Sequence, residues 1–315
     1  MPKVSIGMPV YNGQNFVGQA IESILSQTFR DFELVINDNT SSDATSDICR
    51  EYAAHDPRIS YHRHASNIGP APNFNDVFLR TGGEYFKWAA HDDIIEPSYL
   101  EEAVAVLDRE ADAVLCTSRV RVIDEDGNVC DDYDGTEAYF DVNDVVKRFE
   151  NVIAFHRTRQ YEIFSVIRRS ALVKTNLIGS YKTGDGVLLA DLSLRGRFVQ
   201  IPERLFLPRR HATQSQMHIK NARSYSEWFD PANRQRLIMM PYWRVLGELR
   251  KVVGLSDLSS DLKAKCRKKI VRQGLNTWRQ LRGDIRRVPA QLIRKSLSSF
   301  APLPQRDDKN SEKQN

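Results

Sequence analysis

The chain is predicted to be an α/β protein with a mostly parallel central sheet of Rossmann-like crossover units, a small antiparallel part and a helical C-terminal extension. Three observations carry that prediction. Strand-like and helix-like runs alternate through the first 120 residues; apolar runs end repeatedly in polar loops; and from about Trp243 the pattern turns helical and basic. Alternation of this kind means crossover connections, whose helices cover both faces of a parallel sheet. Ligands of such sheets bind beyond the carboxyl ends of the strands.

Taken in order, Lys3 to Val10 is a β-rich run, and Phe16, Val17, Ala20, Ile21, Ile24 and Leu25 follow one helical face. Phe32 to Ile36 reads as a short buried strand, and Ser41-Ser42-Asp43 as a cap for the helix carrying Ile48 and Tyr52. Ile59 to Arg63 is the third strand, Phe74, Val77 and Phe78 mark the third helix, and Tyr85 to Ala90 is the fourth strand. Leu100, Ala103, Val104 and Leu107 then repeat at helical spacing. After Ala113 to Thr117 the pattern changes: Val120 to Ile123, Asp124-Glu125-Asp126-Gly127 and Asn128-Val129 read as a hairpin. Asp141 to Phe149 is expected to be helical, Tyr161 to Ile167 extended, Val187 to Arg195 helical, and Phe198–Ile201 and Leu205–Leu207 two short strands. The polar stretch from Pro302 to Asn315 is expected to be disordered.

Composition narrows the class. A chain of 315 residues with 41% hydrophobic content is that of an ordinary globular protein. No apolar run approaches the roughly 18 residues of a membrane span. The start, Met1-Pro2-Lys3, leads into a strand without the apolar core of a secretory signal, so a cytoplasmic location is expected, including the inner face of the cytoplasmic membrane. Cys49, Cys116, Cys130 and Cys266 show no metal or disulfide spacing and read as reduced thiols. The net charge of +4 conceals an asymmetry: residues 241–315 hold 18 Lys+Arg against 7 Asp+Glu, which leaves 27 against 34 for residues 1–240. An acidic main body argues against nucleic acid as a partner.

The chemistry-bearing residues sit in the strand exits. Pro9-Val10-Tyr11-Asn12-Gly13 follows the first strand, where the Tyr11 ring would stack on a base and Asn12 and Gly13 admit a close backbone approach; an ordinary turn is the alternative. Asn37-Asp38-Asn39 ends the second strand, and Asp38 either accepts from a base or ribose or shapes its turn. Asn67-Ile68-Gly69 and Asn73 supply amides in the third loop. The fourth strand ends in His91-Asp92-Asp93. Two adjacent carboxylates leaving a buried strand repel one another and lose hydration, so they call for a cation, a hydroxyl or backbone donors. Capping of the helix after Pro97 is the alternative.

These segments together resemble the family 2 glycosyltransferases of the GT-A fold. The resemblance is carried by Val4 to Asn12, Ala20 to Phe29, Phe32 to Thr45, Asn67-Ile68-Gly69 and His91-Asp92-Asp93, and it covers residues 3–215. It implies inverting transfer of a sugar from a nucleoside diphosphate donor, a UDP-sugar first of all, to a saccharide or lipid-linked acceptor, with Mg²⁺ or Mn²⁺ as cofactor. It places Pro9, Tyr11 and Asp38 at the base, Asp92 near the ribose and donor, and Asp93 at the metal. Asp185, in Thr183-Gly184-Asp185-Gly186, matches the family's catalytic base, with a helix cap as the competing reading and Asp191, expected on an exposed helix face, in reserve. In the segment Pro202 to His211, Arg210 is expected on the diphosphate and His211 as a donor or metal ligand. His91 is expected to point away from a neighbour that faces the metal. One departure stands out: many relatives carry an acid where this chain has Ala90. It leaves open a catalytically impaired nucleotide-sugar-binding partner subunit as the alternative function.

The implied organisation is a transferase domain over 1–215, with a nucleotide-binding half (1–118) and an acceptor half (119–215), a basic helical extension over 216–300, and a tail over 301–315. Within the extension, Lys263, Lys265, Arg267, Lys268, Lys269 and Arg272 lead into Leu275, Trp278, Leu281, Ile285, Val288, Leu292 and Ile293. Apolar residues at helical spacing among arginines suit peripheral contact of 263–295 with an anionic membrane, or else a helix packed back on the main body.

Overall fold

A computed structural model describes residues 1–133, 140–154, 161–212, 227–228, 231 and 240–298. The expected alternation is realised as three crossover units: β1 (Val4–Val10), α1 (Val17–Leu25), β2 (Phe32–Asp38), α2 (Thr45–His55), β3 (Ile59–Arg63), α3 (Pro70–Leu79) and β4 (Tyr85–Trp88). Next come β5 (Ile94–Ile95), α4 (Tyr99–Arg109), β6 (Ala113–Ile123), β7 (Val129–Tyr133), α5 (Val145–Ile153), β8 (Val166–Arg168), α6 (Arg169–Leu172), α7 (Gly184–Ser193) and β9 (Arg197–Leu207). The chain closes with α8 (Pro241–Leu255), α9 (Ser260–Asn276) and α10 (Trp278–Ser298).

One sheet has the order β3-β2-β1-β4-β8-β6-β9-β5, with β7 added to β6. β1 to β4 are parallel, β8 runs against both β4 and β6, and β5 runs against β9. Strand alternation sorts the apolar residues into two layers. Leu34 and Ile36 face α1, α2 and α4, whereas Val35, Phe86 and Trp88 face α3, α5 and α7. With both faces covered, the strand ends are where polar groups gather.

The C-terminal helices join the second layer. Val245, Leu249, Val252 and Val253 of α8 and Cys266 and Ile270 of α9 share one core with Phe149 of α5 and Leu188 of α7. Lys269 and Arg272 also pair with Glu150. One face of the extension therefore packs back on the main body, while its arginine-rich face is outward. Cys49, Cys116 and Cys266 are buried, Cys130 is exposed, and all four are free thiols.

Several boundaries differ from expectation. Tyr161 to Phe164 is a 3₁₀ turn, and only Val166–Arg168 is extended. β9 is one strand rather than two: Pro202, which has no N–H to donate, falls in a register shift where Ser118 opposes Ile201 and Arg119 opposes Arg204. α5 begins late because the Asp144 carboxylate accepts the Lys147 N–H at 2.7 Å and caps it. The tail over 301–315 and the boundary at 215–216 lie outside the described residues.

Candidate active site

The first three strand exits are laced together by side-chain to backbone hydrogen bonds. Asn12, at φ 51°, donates its N–H to Ser41 Oγ (2.9 Å) and accepts the Ser42 N–H on Oδ1 (2.9 Å). The Gly13 N–H donates to Thr45 Oγ1 (2.8 Å), which fastens the β1 exit to the start of α2. A Cβ on Gly13 would lie 2.4 Å from His91 Cδ2, so only glycine lets that ring close over the loop. Asn39 donates to Asn67 Oδ1 (3.0 Å) and accepts the Ile68 N–H (2.8 Å). Tyr11 stands out from this floor, 47% exposed, with a ring face available for stacking.

Asp38 is buried and fully engaged from within. One carboxylate oxygen accepts the Ser41 N–H (2.7 Å), and the other accepts the Tyr61 hydroxyl (2.7 Å) and the Arg63 guanidinium (2.7 Å). Its direct effect is to hold the β2 exit in shape. Asn73 is likewise buried: it donates to the Asn37 carbonyl (3.1 Å), and its Oδ1 lies 3.1 Å from His64 Nε2. Asn67 is exposed at the loop surface, and Pro9 is buried opposite Asn37 at the end of β1.

At the fourth exit the chain steps from β4 to β5, and β5 pairs with β9. That step brings Asp92 and Asp93 beside the residues that follow β9. Asp93 Oδ1 accepts the Arg209 N–H at 3.0 Å, and Asp92 Oδ2 lies 3.0 Å from His211 Nε2. The Arg209 side chain, 1% exposed, donates to the carbonyls of Asp92 (3.1 Å), Asp124 (3.0 Å) and Glu125 (3.0 Å) and to Gln19 Oε1 (2.7 Å). The Phe16 ring lies 4.7 Å from the Arg209 guanidinium and 4.7 Å from the His211 ring centroid. Burial raises the Asp92 carboxyl, but the His211 contact and the nearby His91 outweigh it and hold Asp92 below its ordinary value. Burial, then the charge of Asp92, push Asp93 well above its ordinary value. Burial and mutual repulsion thus set the two carboxyls apart in proton affinity, Asp93 above Asp92. Behind it, Lys87 and Asp93 line one small cavity with Ala90 and Phe206, and burial pushes Lys87 down to about 7.

Asp185 lies in the first turn of α7, which starts earlier than the sequence suggested. Thr183 takes the left-handed conformation, φ 56°, at the N-cap, and Asp185 Oδ1 accepts the Gly186 N–H at 2.9 Å. A Cβ on Gly184 would fall 2.1 Å from the Gly179 carbonyl oxygen, so the turn closes only with glycine there. The preceding loop is pinned to α3: Ile178 donates its N–H to Asn75 Oδ1 (3.0 Å), and its carbonyl accepts from Asn75 Nδ2 (2.9 Å). This tie seats the loop before α7 against the middle of α3, the helix that follows the exit of β3. Burial raises the Asp185 carboxyl above its ordinary value, a direction that suits a group taking up a proton near neutral pH.

The Arg210 guanidinium, expected on the diphosphate, lies 2.7 Å from Asp131 of β7, on the opposite side of this extended segment from Arg209. Arg209 takes the inward place, and no motif flagged it. Asp191 is not on an exposed face: α7 is buried nearly all round, and Asp191 forms a buried ion pair with Arg195 at 2.7 Å. It serves structure there. Lys87, a charge inside an otherwise apolar run, was also overlooked.

This is an α/β enzyme architecture with polar side chains gathered at its strand exits. The chain belongs to glycosyl transferase family 2, whose sequence model matches residues 5–174. It is 34% identical over 108 residues to an uncharacterized glycosyltransferase of Rickettsia typhi, a stretch covering 34% of this chain and 33% of that protein. It is 27% identical over 205 residues to the glycosyltransferase GlyA of Streptococcus pneumoniae, covering 64% of this chain and 29% of the relative. The matched stretch thus spans about a third of each relative's length. Among solved structures, S. aureus TarS 1–349 superposes with a TM-score of 0.63 at 14% identity, covering 87% of this chain and 72% of that one. TarS 1–349 is also solved with UDP-GlcNAc. The mannosyltransferase PcManGT of Pyrobaculum calidifontis, in complex with GDP-Man and Mn²⁺, superposes with a TM-score of 0.55 at 14% identity, covering 96% of this chain and 77% of that one. These likenesses bear out the GT-A fold.

Proposed function

We propose that this chain transfers a sugar, with inversion, from a nucleoside diphosphate donor to a hydroxyl of a saccharide or lipid-linked acceptor. The observation that supports the proposal is the division of acids between the β4 exit and the head of α7. Asp92 and Asp93 are held at the β4 exit by Arg209 and His211, and a separate carboxyl of raised affinity for protons, Asp185, heads α7. In this reading Tyr11 stacks on the base, Asn12 and Asn67 line its loops, and the Asp38 and Asn73 networks hold those loops rigid. UDP is the leading donor nucleotide, supported by the TarS complex with UDP-GlcNAc.

Among the described residues, no three His, Cys, Asp or Glu side chains form a ready cluster. The donors present nevertheless suit Mg²⁺ or Mn²⁺, ions that keep some waters and share phosphate oxygens with one or two protein carboxylates. Asp93 would hold the ion together with Asp92 or His211, and the buried carboxyl of Asp93 is the group a cation would ionise. The ion supplies charge neutralisation for the departing diphosphate. Asp185 removes the acceptor hydroxyl's proton on the face opposite the leaving group, which inversion requires.

The test is a panel of UDP-, GDP- and dTDP-sugars with Mn²⁺ and saccharide and lipid-linked acceptors, scored by nucleoside diphosphate release and by the anomeric configuration of the product. Release with one donor and inversion supports the reading. Tight nucleotide binding without turnover on any pair would instead favour a catalytically impaired partner subunit, the reading that Ala90 motivates.

A further inference from the structure

We propose that the outward faces of α9 and α10 form a docking surface for an anionic lipid bilayer. Between residues 262 and 289 the chain carries ten Lys+Arg and a single acid, Asp284. That acid is buried, and although Asp261 at the start of α9 pairs with Lys265, and Glu150 of α5 with Lys269 and Arg272, cations predominate on the outer face. Val271 and Leu275 share one face of α9 and are 58% and 68% exposed; Trp278 and Ile285 share one face of α10 and are 50% and 52% exposed. Arg279 and Arg282 flank the Trp278 ring at 5.9 and 6.0 Å. The apolar residues that the fold needs, Cys266, Ile270 and Leu281, are turned inward instead.

An exposed apolar stripe carrying a tryptophan and bordered by arginines matches the boundary between headgroups and acyl chains, where the indole sits at the interface and the guanidiniums meet lipid phosphates. A second copy of the chain is a poor occupant, because a two-fold contact would set these cations against themselves. Nucleic acid would use the arginines but leave Val271, Leu275 and Ile285 without purpose. No helix among the described residues is long and apolar enough to cross a membrane, so the contact is peripheral.

The surface is rigidly tied to the catalytic end. Buried Asp284 accepts the Tyr242 N–H at 2.8 Å, the Tyr242 hydroxyl accepts from Lys182 Nζ at 2.6 Å, and Lys182 lies three residues before Asp185. Docking would therefore fix the attitude of the head of α7 to the bilayer. The proposal does not rest on the transfer reaction.

Flotation of the full chain with vesicles tests it in the absence of donor. The protein should float with vesicles containing phosphatidylglycerol, stay behind with phosphatidylcholine alone, and be released by added salt. The double variant Leu275→Asp/Trp278→Asp should lose affinity roughly tenfold or more, with an unchanged thermal melt because both side chains are exposed. If that variant melts early, Leu275→Ser/Trp278→Ser takes its place. Failure to float with anionic vesicles, or flotation of a folded variant equal to that of the parent, would overturn the proposal. So would competition by heparin combined with indifference to the apolar substitutions.

Discussion

Replacing Arg209 by methionine should be among the most damaging single changes near the strand exits. Methionine fills much of the same space but cannot donate, which leaves the carbonyls of Asp92, Asp124 and Glu125 and the Gln19 amide oxygen without the partner they have now. An orphaned buried acceptor costs about 1–3 kcal/mol. The loop around Asp124 and Glu125 is near solvent, and water will replace part of what is lost. A net cost of roughly 3–5 kcal/mol is expected, in the range for removing one partner of a buried charged network. At about 2–4 °C per kcal/mol for a large domain, the melting temperature should drop by roughly 6–20 °C. Arg209→Lys retains the charge but not the fork, so it should recover only part of the loss. Denaturant unfolding gives the free energy, and calorimetric titration with nucleotide reports whether the Asp92-Asp93 loop has moved. A folded Arg209→Met protein within about 1 kcal/mol of the parent would refute this account of how the acid pair is held.

Glu162, buried in the 3₁₀ turn before β8, is pushed up from 4.5 to about 7 by burial. The folded state therefore keeps a proton that the unfolded state releases above about pH 4.5, so stability should fall by up to roughly 3 kcal/mol as pH rises from about 4.5 to about 7 and level off above that. Glu162→Gln should lack that slope and be the more stable protein near pH 8, as read by denaturant melts on either side of neutrality. Asp93→Ala should remove the Mn²⁺-dependent part of donor affinity, a loss of tenfold or more, or about 1.4 kcal/mol. Calorimetry with and without the metal checks this, and an unchanged metal dependence would remove Asp93 from the site.

What the sequence revealed and what it hid have separate physical causes. The exits of β1, β2 and β4 were legible because each follows a run buried on both faces of the sheet, and even β3, a largely exposed edge strand, falls on Ile59–Arg63 as expected. Asp191 was misplaced because an apolar pattern cannot tell a one-sided helix from α7, which is buried nearly all round. Arg209 was legible in principle: in an extended Arg209-Arg210-His211, the first and third residues share a side, so placing His211 at the acid pair should have placed Arg209 there and sent Arg210 outward. Lys87 left a trace as the one charge in Tyr85 to Ala90, but its neighbours across the sheet, such as Phe164 and Phe206, come from distant stretches of chain. β9 continues through Pro202 because a long partner, β6, absorbs the irregularity, and no local signal carries that.

The role of Asp185 bears most directly on the central claim, and one comparison tests it. Nucleoside diphosphate release by the parent and by Asp185→Asn should be measured with the best donor and acceptor from the panel, beside nucleotide affinity by calorimetry. The account predicts a fall in turnover of roughly a hundredfold or more with nucleotide affinity unchanged, because Asp185 heads α7 apart from the acid pair at the β4 exit. Near-parental turnover by Asp185→Asn, with nucleotide still bound, would contradict it.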